Sequence, residues 1–256
     1  MRTLFKLIYN ICFGTKQKRY DSIHTLMSII AIRLGYRMSN RNLYWYNDNE
    51  FLDIYLNLTK NDNKKKRIPE RKYVLYGIAK SISRIEGDIV ECGVYRGQSS
   101  FLMLHANKSN NKMLYGFDSF EGLSQPDEND EIKNNYSYKW KKNDLSISEQ
   151  IAKKNLKDFK DRYMLFKGWI PNRFNEVAQK RFSLIHIDVD LYQPTLDSIS
   201  FFWERLNTGG ALVCDDYGSL LCPGAKKAMD DFFQSKGISI IHLTNGQGLV
   251  FKQNNH

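Results

Sequence analysis

The strongest constraint on the fold of this chain is a change of rhythm at Gly87. Beyond it, short runs rich in Val, Ile, Leu and Phe alternate with longer stretches of helical period. Strands are expected at 88–94, 113–120, 163–170, 182–190 and 211–216. Helices are expected from about Gln98, over 146–159, from Pro194 and over 224–234. Ser146 with Glu149 three residues later predicts a capping box for the second of these. Two final runs, 238–243 and 247–252, flank Asn245-Gly246, a pair that favours a tight hairpin turn. Strands joined by helical crossovers pair in parallel. The expected fold is α/β: a doubly wound, Rossmann-like sheet of five parallel strands plus a C-terminal antiparallel hairpin.

Residues 1–85 read as a basic N-terminal helical extension, and 86–256 as the domain built on the sheet. Within 20–59, Ile23, Leu26, Met27, Ile30 and Leu34 fall near a 3.6-residue period, as do Phe51, Leu52, Tyr55 and Leu56. Pro69 suits the first turn of a helix running to about Arg84. Residues 1–87 hold 17 Lys/Arg against 7 Asp/Glu, whereas the remainder holds 21 of each. All the excess basicity therefore belongs to the N-terminal third, including Lys64-Lys65-Lys66-Arg67. Such a run is either a solvated loop or a site for an anionic partner. No aromatic-interleaved RNA motif accompanies it, which sets nucleic acid aside as a partner.

The first thirteen residues, MRTLFKLIYNICF, lack the long apolar run and cleavage site of a signal peptide. They read as a short amphipathic helix, docked on the domain or a partner, or lying at an anionic membrane surface beside Lys16, Lys18 and Arg19. No apolar run is long enough to span a bilayer. The N-terminal helices also offer a surface for a homo-oligomer. Cys12, Cys92, Cys214 and Cys222 form no C-x-x-C pair, as expected of reduced cysteines in a cytoplasmic protein, at most peripheral to the inner membrane face.

In an open α/β sheet, ligands collect at the carboxyl ends of the strands. The first strand ends in Glu91-Cys92-Gly93-Val94-Tyr95-Arg96-Gly97, followed by Gln98-Ser99. Its glycines permit a tight turn and a close backbone approach. The spacing E-x-G-x-x-x-G is not the dinucleotide G-x-G-x-x-G, and a carboxylate here suits a cationic ammonium rather than a pyrophosphate. The second strand ends in Asp118-Ser119, where an acid can accept ribose hydroxyls. Trp169 follows the third strand, placed either to stack near an adenine or to pack. Asp188 and Asp190 end the fourth strand, and Asp215 and Asp216 the fifth. Four carboxylates on adjacent strand tips repel, so something cationic should hold them together; an all-oxygen set fits Mg2+ or another hard divalent cation. His186 reads as a hydrogen-bonded core residue. The polar stretch 121–143 is long enough to act as a lid.

These residues carry a family resemblance. GDIVECGVYRGQSS, LYGFDSFEGL, FKGWIPN, IHIDVDLYQPTLDSISFFWERLNTGGALVCDDYG and PGAKKAMDDFF together resemble the macrocin O-methyltransferase family, from about Glu86 to Phe233. The C-terminal hairpin likewise resembles the class I methyltransferase sheet. The resemblance implies transfer of a methyl group from S-adenosylmethionine to a sugar or glycan hydroxyl, with Mg2+. It implies that Glu91, Gly93, Tyr95, Gly97 and Ser99 hold the methionine end of the cofactor, with Asp118 and Ser119 on the ribose. It also implies that Asp188 or Asp190, with Asp215 and Asp216, bind the metal. Asp188 and Asp190 are the candidate catalytic carboxylates, with Asp188 also beside the cofactor. The rival expectations are the same fold acting on a phenol, a lipid or RNA, and a catalytically silent binding protein.

Overall fold

The computed structural model describes residues 2–35, 45, 48–60, 69–132 and 139–254. The run Lys64-Lys65-Lys66-Arg67, part of the polar insert and part of the 20–59 stretch lie outside the described residues. By internal contacts the chain forms two units, Met1–Lys60 and Asn61–His256. The division falls upstream of the 85/86 boundary drawn from the sequence, because helix α4 (Pro69–Ser81) packs on α5 (Gln98–Ala106) of the sheet unit.

The first unit holds α1 (Arg2–Phe13), α2 (Lys16–Arg33) and α3 (Asn49–Leu58). Thr15 caps α2 by accepting from the Lys18 amide, and Asp48 caps α3 by accepting from the Phe51 amide. The periodic stripe is helical, as expected, and Ile23, Met27, Ile30 and Leu34 on it are exposed, as are Leu4, Phe5, Ile8, Tyr9 and Phe13 on α1. Among the described residues, no helix is long and apolar enough to cross a membrane.

The second unit is a seven-stranded sheet in the order β3-β2-β1-β4-β5-β7-β6. Its strands are β1 (Asp88–Cys92), β2 (Leu114–Asp118), β3 (Tyr163–Lys167), β4 (Phe182–Ile187), β5 (Leu206–Cys214), β6 (Ile241–His242) and β7 (Gly248–Phe251). The first five pair in parallel, and β7 runs antiparallel between β5 and β6. The expected hairpin thus adds β7 directly to β5. Helices α6 (Glu149–Asn155), α7 (Tyr192–Phe202) and α8 (Pro223–Gln234) complete the unit. The central strands are buried on both faces, as a helix-covered parallel sheet requires. Phe117, Phe174, Phe182 and Phe202 meet edge-on in the larger core cluster.

Four local expectations shift. Ser148, not Ser146, caps α6, accepting from the Gln150 amide; Glu149 is then the first helical residue and makes no capping box with Ser146. The α7 helix begins at Tyr192, with Pro194 in its first turn. The third strand ends at Lys167 and α4 at Ser81, each a few residues short of its expected end.

Candidate active site

The carboxyl ends of β1, β2 and β4 surround an open cleft of about 800 Å3, counted out to its solvent-filled mouth. Gly93 and Tyr95 line it after β1, Asp118 and Ser119 at the end of β2, and Asp188, Val189 and Asp190 after β4. Trp169 and Ile170 contribute one wall; Gly122, Leu123, Ser124 and Leu145, around the two ends of the polar insert, contribute another. The insert is pinned further along. Asp130 accepts from the Tyr192 amide at 2.8 Å, and the Trp140 indole donates to the Leu221 carbonyl at 2.8 Å.

Backbone conformation at the cleft is unusual in a consistent way. Tyr95, Phe120 and Asp190 all adopt left-handed φ values, of 49°, 54° and 62°. For residues with side chains this is a sparsely populated region, which surrounding structure must hold in place. Gly93, at φ +90°, is pressed so close to β4 that a Cβ there would lie 1.9 Å from the Asp188 carbonyl oxygen. Asp118 ties the turn together: its carboxylate accepts from the Val94 amide at 2.9 Å and from the Tyr95 and Phe120 amides at 2.7 Å. Burial raises its pKa despite those three donors. A carboxylate offers about four acceptor positions, so these three donors do not exhaust it.

The four carboxylates at the tips of β4 and β5 separate into two sets. One contains Asp188 and Asp215 with His186; the other contains Asp190 and Asp216 with Cys222; within each set the potential ligand atoms lie within 4.8 Å of one another. Much of the cationic charge expected around them comes from the protein. The Lys72 ammonium lies 3.4 Å from Asp215, 3.5 Å from Asp188 and 2.5 Å from the Ser99 hydroxyl. The Arg71 guanidinium lies 3.3 Å from Asp216. His186 is fully buried between Glu91, 3.0 Å from its Nδ1, and Asp215, 3.1 Å from its Nε2. Burial opposes charge on the ring, but Asp215 and Glu91 outweigh it and push the pKa up to about 10. The imidazolium donates on both sides.

The consequence for the two sets is opposite. Burial alone would raise Asp215, yet Lys72 and His186 hold it well below the usual carboxylate range, and Gln247 adds a hydrogen bond at 2.6 Å. Asp216 stays raised well above that range by burial and by Asp190, Asp188 and Asp215; its Oδ2 has no hydrogen-bond partner. Burial and the charge of Asp188 push Asp190 up to about 7.

A family model described as macrocin-O-methyltransferase (TylF) matches residues 65–250. The chain belongs to the macrocin-O-methyltransferase family. Demethyldecarbamoylnovobiocin O-methyltransferase of Streptomyces niveus is 26% identical over 157 residues, 59% of either chain. The 8-demethyl-8-(2,3-dimethoxy-alpha-L-rhamnosyl)-tetracenomycin-C 4'-O-methyltransferase of Streptomyces olivaceus is 28% identical over 176 residues, 66% of either chain. The matched stretches therefore span less than two thirds of these relatives' own length. Among solved structures, the O-methyltransferase NovP superposes with a TM-score of 0.58 at 21% identity, covering 72% of this chain and 80% of that one. The calicheamicin methyltransferase CalS11 superposes at 0.61 and 17% identity, covering 80% and 93%. Both share the α/β fold.

Set on this family framework, the residues expected from sequence fall into two groups. Gly93, Tyr95, Asp118, Ser119, Trp169, Asp188 and Asp190 line the cleft. Glu91 does not: its carboxylate is fully buried and taken up by the Ser100 hydroxyl and His186, so it is not placed to meet a ligand ammonium. Gly97 is the left-handed N-cap of α5, and Ser99 faces Lys72, outside the cleft lining. Asp215 and Asp216 lie behind Asp188 and Asp190. Sequence reasoning missed Arg71 and Lys72. A signal was present: two cations near the start of α4 oppose the positive end of its helix dipole, so another group must hold them there.

Proposed function

We propose that this chain is an S-adenosylmethionine-dependent O-methyltransferase acting on a hydroxyl of a sugar or glycan, with help from a divalent cation. The observation that carries the reading is the cleft itself. It offers the Asp118 carboxylate for a ribose, Trp169 as an aromatic wall, and two carboxylates, Asp188 and Asp190, for cationic and proton-bearing groups. Family membership and the glycoside names among the relatives support the choice of a sugar acceptor.

Asp190 and Asp216 fit a divalent cation. Both are raised in pKa by crowding with like charge, and Asp216 presents a buried oxygen with no partner. A cation there relieves that repulsion and supplies Lewis acidity toward an acceptor hydroxyl. Asp190, on the cleft wall, is the carboxylate placed to take the hydroxyl proton as the oxygen attacks the methyl carbon in line with the departing thioether. The left-handed turns at Tyr95 and Asp190 shape the cleft wall where the two reactants would be set side by side, and such positioning lowers the barrier. Four free cysteines fit a reducing compartment such as the cytoplasm.

The test is transfer of labelled methyl from S-adenosylmethionine to nucleotide sugars and cell-surface glycan fractions, with and without chelator. Chelator-sensitive label in a saccharide is the expected result. Label appearing only in protein, lipid tails or RNA would overturn the acceptor, and full transfer in chelator would overturn the cation.

A further inference from the structure

Helix α1 buries only one edge of its apolar surface. It packs on α2, and Leu7 and Ile11 are half-buried. On the far side Phe5, Tyr9 and Phe13 form a row at i, i+4 and i+8, with Leu4, Ile8 and Cys12 in the row beside it. All six are exposed, Phe5 and Phe13 by 70% and 75%. The Tyr9 and Phe13 rings lie 5.4 Å apart, so the row forms a continuous surface. The charge around it has one sign: residues 1–20 hold five Lys/Arg and no Asp or Glu. Lys6 and Lys18 are exposed. Arg19 donates to the Cys12 carbonyl at 3.3 Å, which sets its guanidinium beside the end of the apolar rows.

We infer that α1 binds a phospholipid surface bearing anionic headgroups. The helix lies in the plane of the interface, with Leu4, Phe5, Ile8 and Cys12 toward the acyl chains. Lys6, Lys18 and Arg19 meet the headgroup phosphates, and the Tyr9 and Phe13 rings sit at the boundary between the two, where aromatic side chains are favoured. A helix lying in the interface need not cross it, and no described helix is long and apolar enough to do so. A second copy of the chain suits the face less well. Pairing α1 with α1 would bring two stretches together that each carry only positive charge.

Co-sedimentation of the full chain with vesicles tests this, using phosphatidylcholine alone and phosphatidylcholine mixed with phosphatidylglycerol. Wild type is expected to sediment with the mixed vesicles, weakly with phosphatidylcholine, and less as salt rises. Phe5→Ser with Phe13→Ser should weaken partitioning into mixed vesicles by about 10- to 100-fold, as the loss of two buried rings implies. Lys6→Gln with Lys18→Gln should weaken it by about 10- to 30-fold and leave the weak binding to phosphatidylcholine unchanged. These are exposed positions, so melting temperature should not move; if the aromatic variant melts early, the lysine variant and a label at Cys12 decide. Cys12 is exposed and the other three cysteines are buried, so an environment-sensitive thiol dye reports on this face alone. Its emission should shift to the blue on mixed vesicles. Absence of wild type from the mixed vesicles, equal binding to both vesicle types, or sedimentation without a shift at Cys12 overturns the inference. So does a dimer in sedimentation velocity that Phe5→Ser with Phe13→Ser dissolves, since the face would then be taken by a second copy.

Discussion

Two pairs of carboxylates stand on the tips of the same two strands, and their surroundings differ sharply. Asp188 and Asp215 are met by Lys72, and Asp215 also by His186 and Gln247. Asp190 and Asp216 are met by Arg71 on one oxygen and by a Cys222 thiol, with one buried oxygen left alone. The first pair is compensated by the fold, and Asp215, outside the cleft lining, ties helix α4 to the sheet through Lys72. The second is left frustrated, which raises its proton affinity and makes it ready for a cation or a proton from substrate. Equal formal charge at a sheet edge therefore says little about role; the counter-ions do.

The sharpest way to break this contrast is Asp190→Asn. Transfer should fall by about 10²- to 10⁴-fold, the range of a lost general base, with S-adenosylhomocysteine affinity and melting temperature nearly unchanged. Asp215→Asn should do the reverse, since it strands Lys72 and His186 as buried charges. A loss of about 3–5 kcal/mol in denaturant unfolding is expected. If Asp215→Asn were as stable as wild type, the compensated pair would not be structural. Gly93→Ala should cost less, about 1–3 kcal/mol for the left-handed backbone plus displacement of the turn from β4, read as a lower melting temperature and weaker cofactor binding.

A pH-dependent effect follows from His186. Its pKa rises from an unfolded value of about 6.5 to about 10 in the folded chain. The stability it contributes is complete below pH 6.5 and is lost as pH climbs toward 10. Melting temperature should decline across that window in wild type and decline less in His186→Gln. An equal decline in both would place the dependence elsewhere.

Much of this was legible in the sequence, because it is written locally. Apolar runs alternating with stretches of helical period located all five parallel strands, and Asn245-Gly246 located the hairpin. Strand-end residues such as Gly93, Asp118 and Asp190 line the cleft because the topology of a parallel sheet brings strand ends together. What was hidden depends on distance along the chain. Lys72 reaches Asp215 across 143 positions, and Arg71 reaches Asp216 across 145, so periodicity carries no trace of either pair. Glu91 was misplaced because alternation along a strand does not say which neighbouring side chains will occupy a carboxylate. The stripe Ile23-Met27-Ile30-Leu34 was correctly helical, but a pattern cannot show whether a face is covered, and here it is exposed.

The central claim is that Asp190 and Asp216 form the ready, uncompensated pair. Mn2+ binding followed by the loss of free-ion electron paramagnetic resonance signal tests it without relying on turnover. The account predicts saturable binding to wild type, abolished in the folded double variant Asp190→Asn with Asp216→Asn. Undiminished Mn2+ binding in that variant would contradict it.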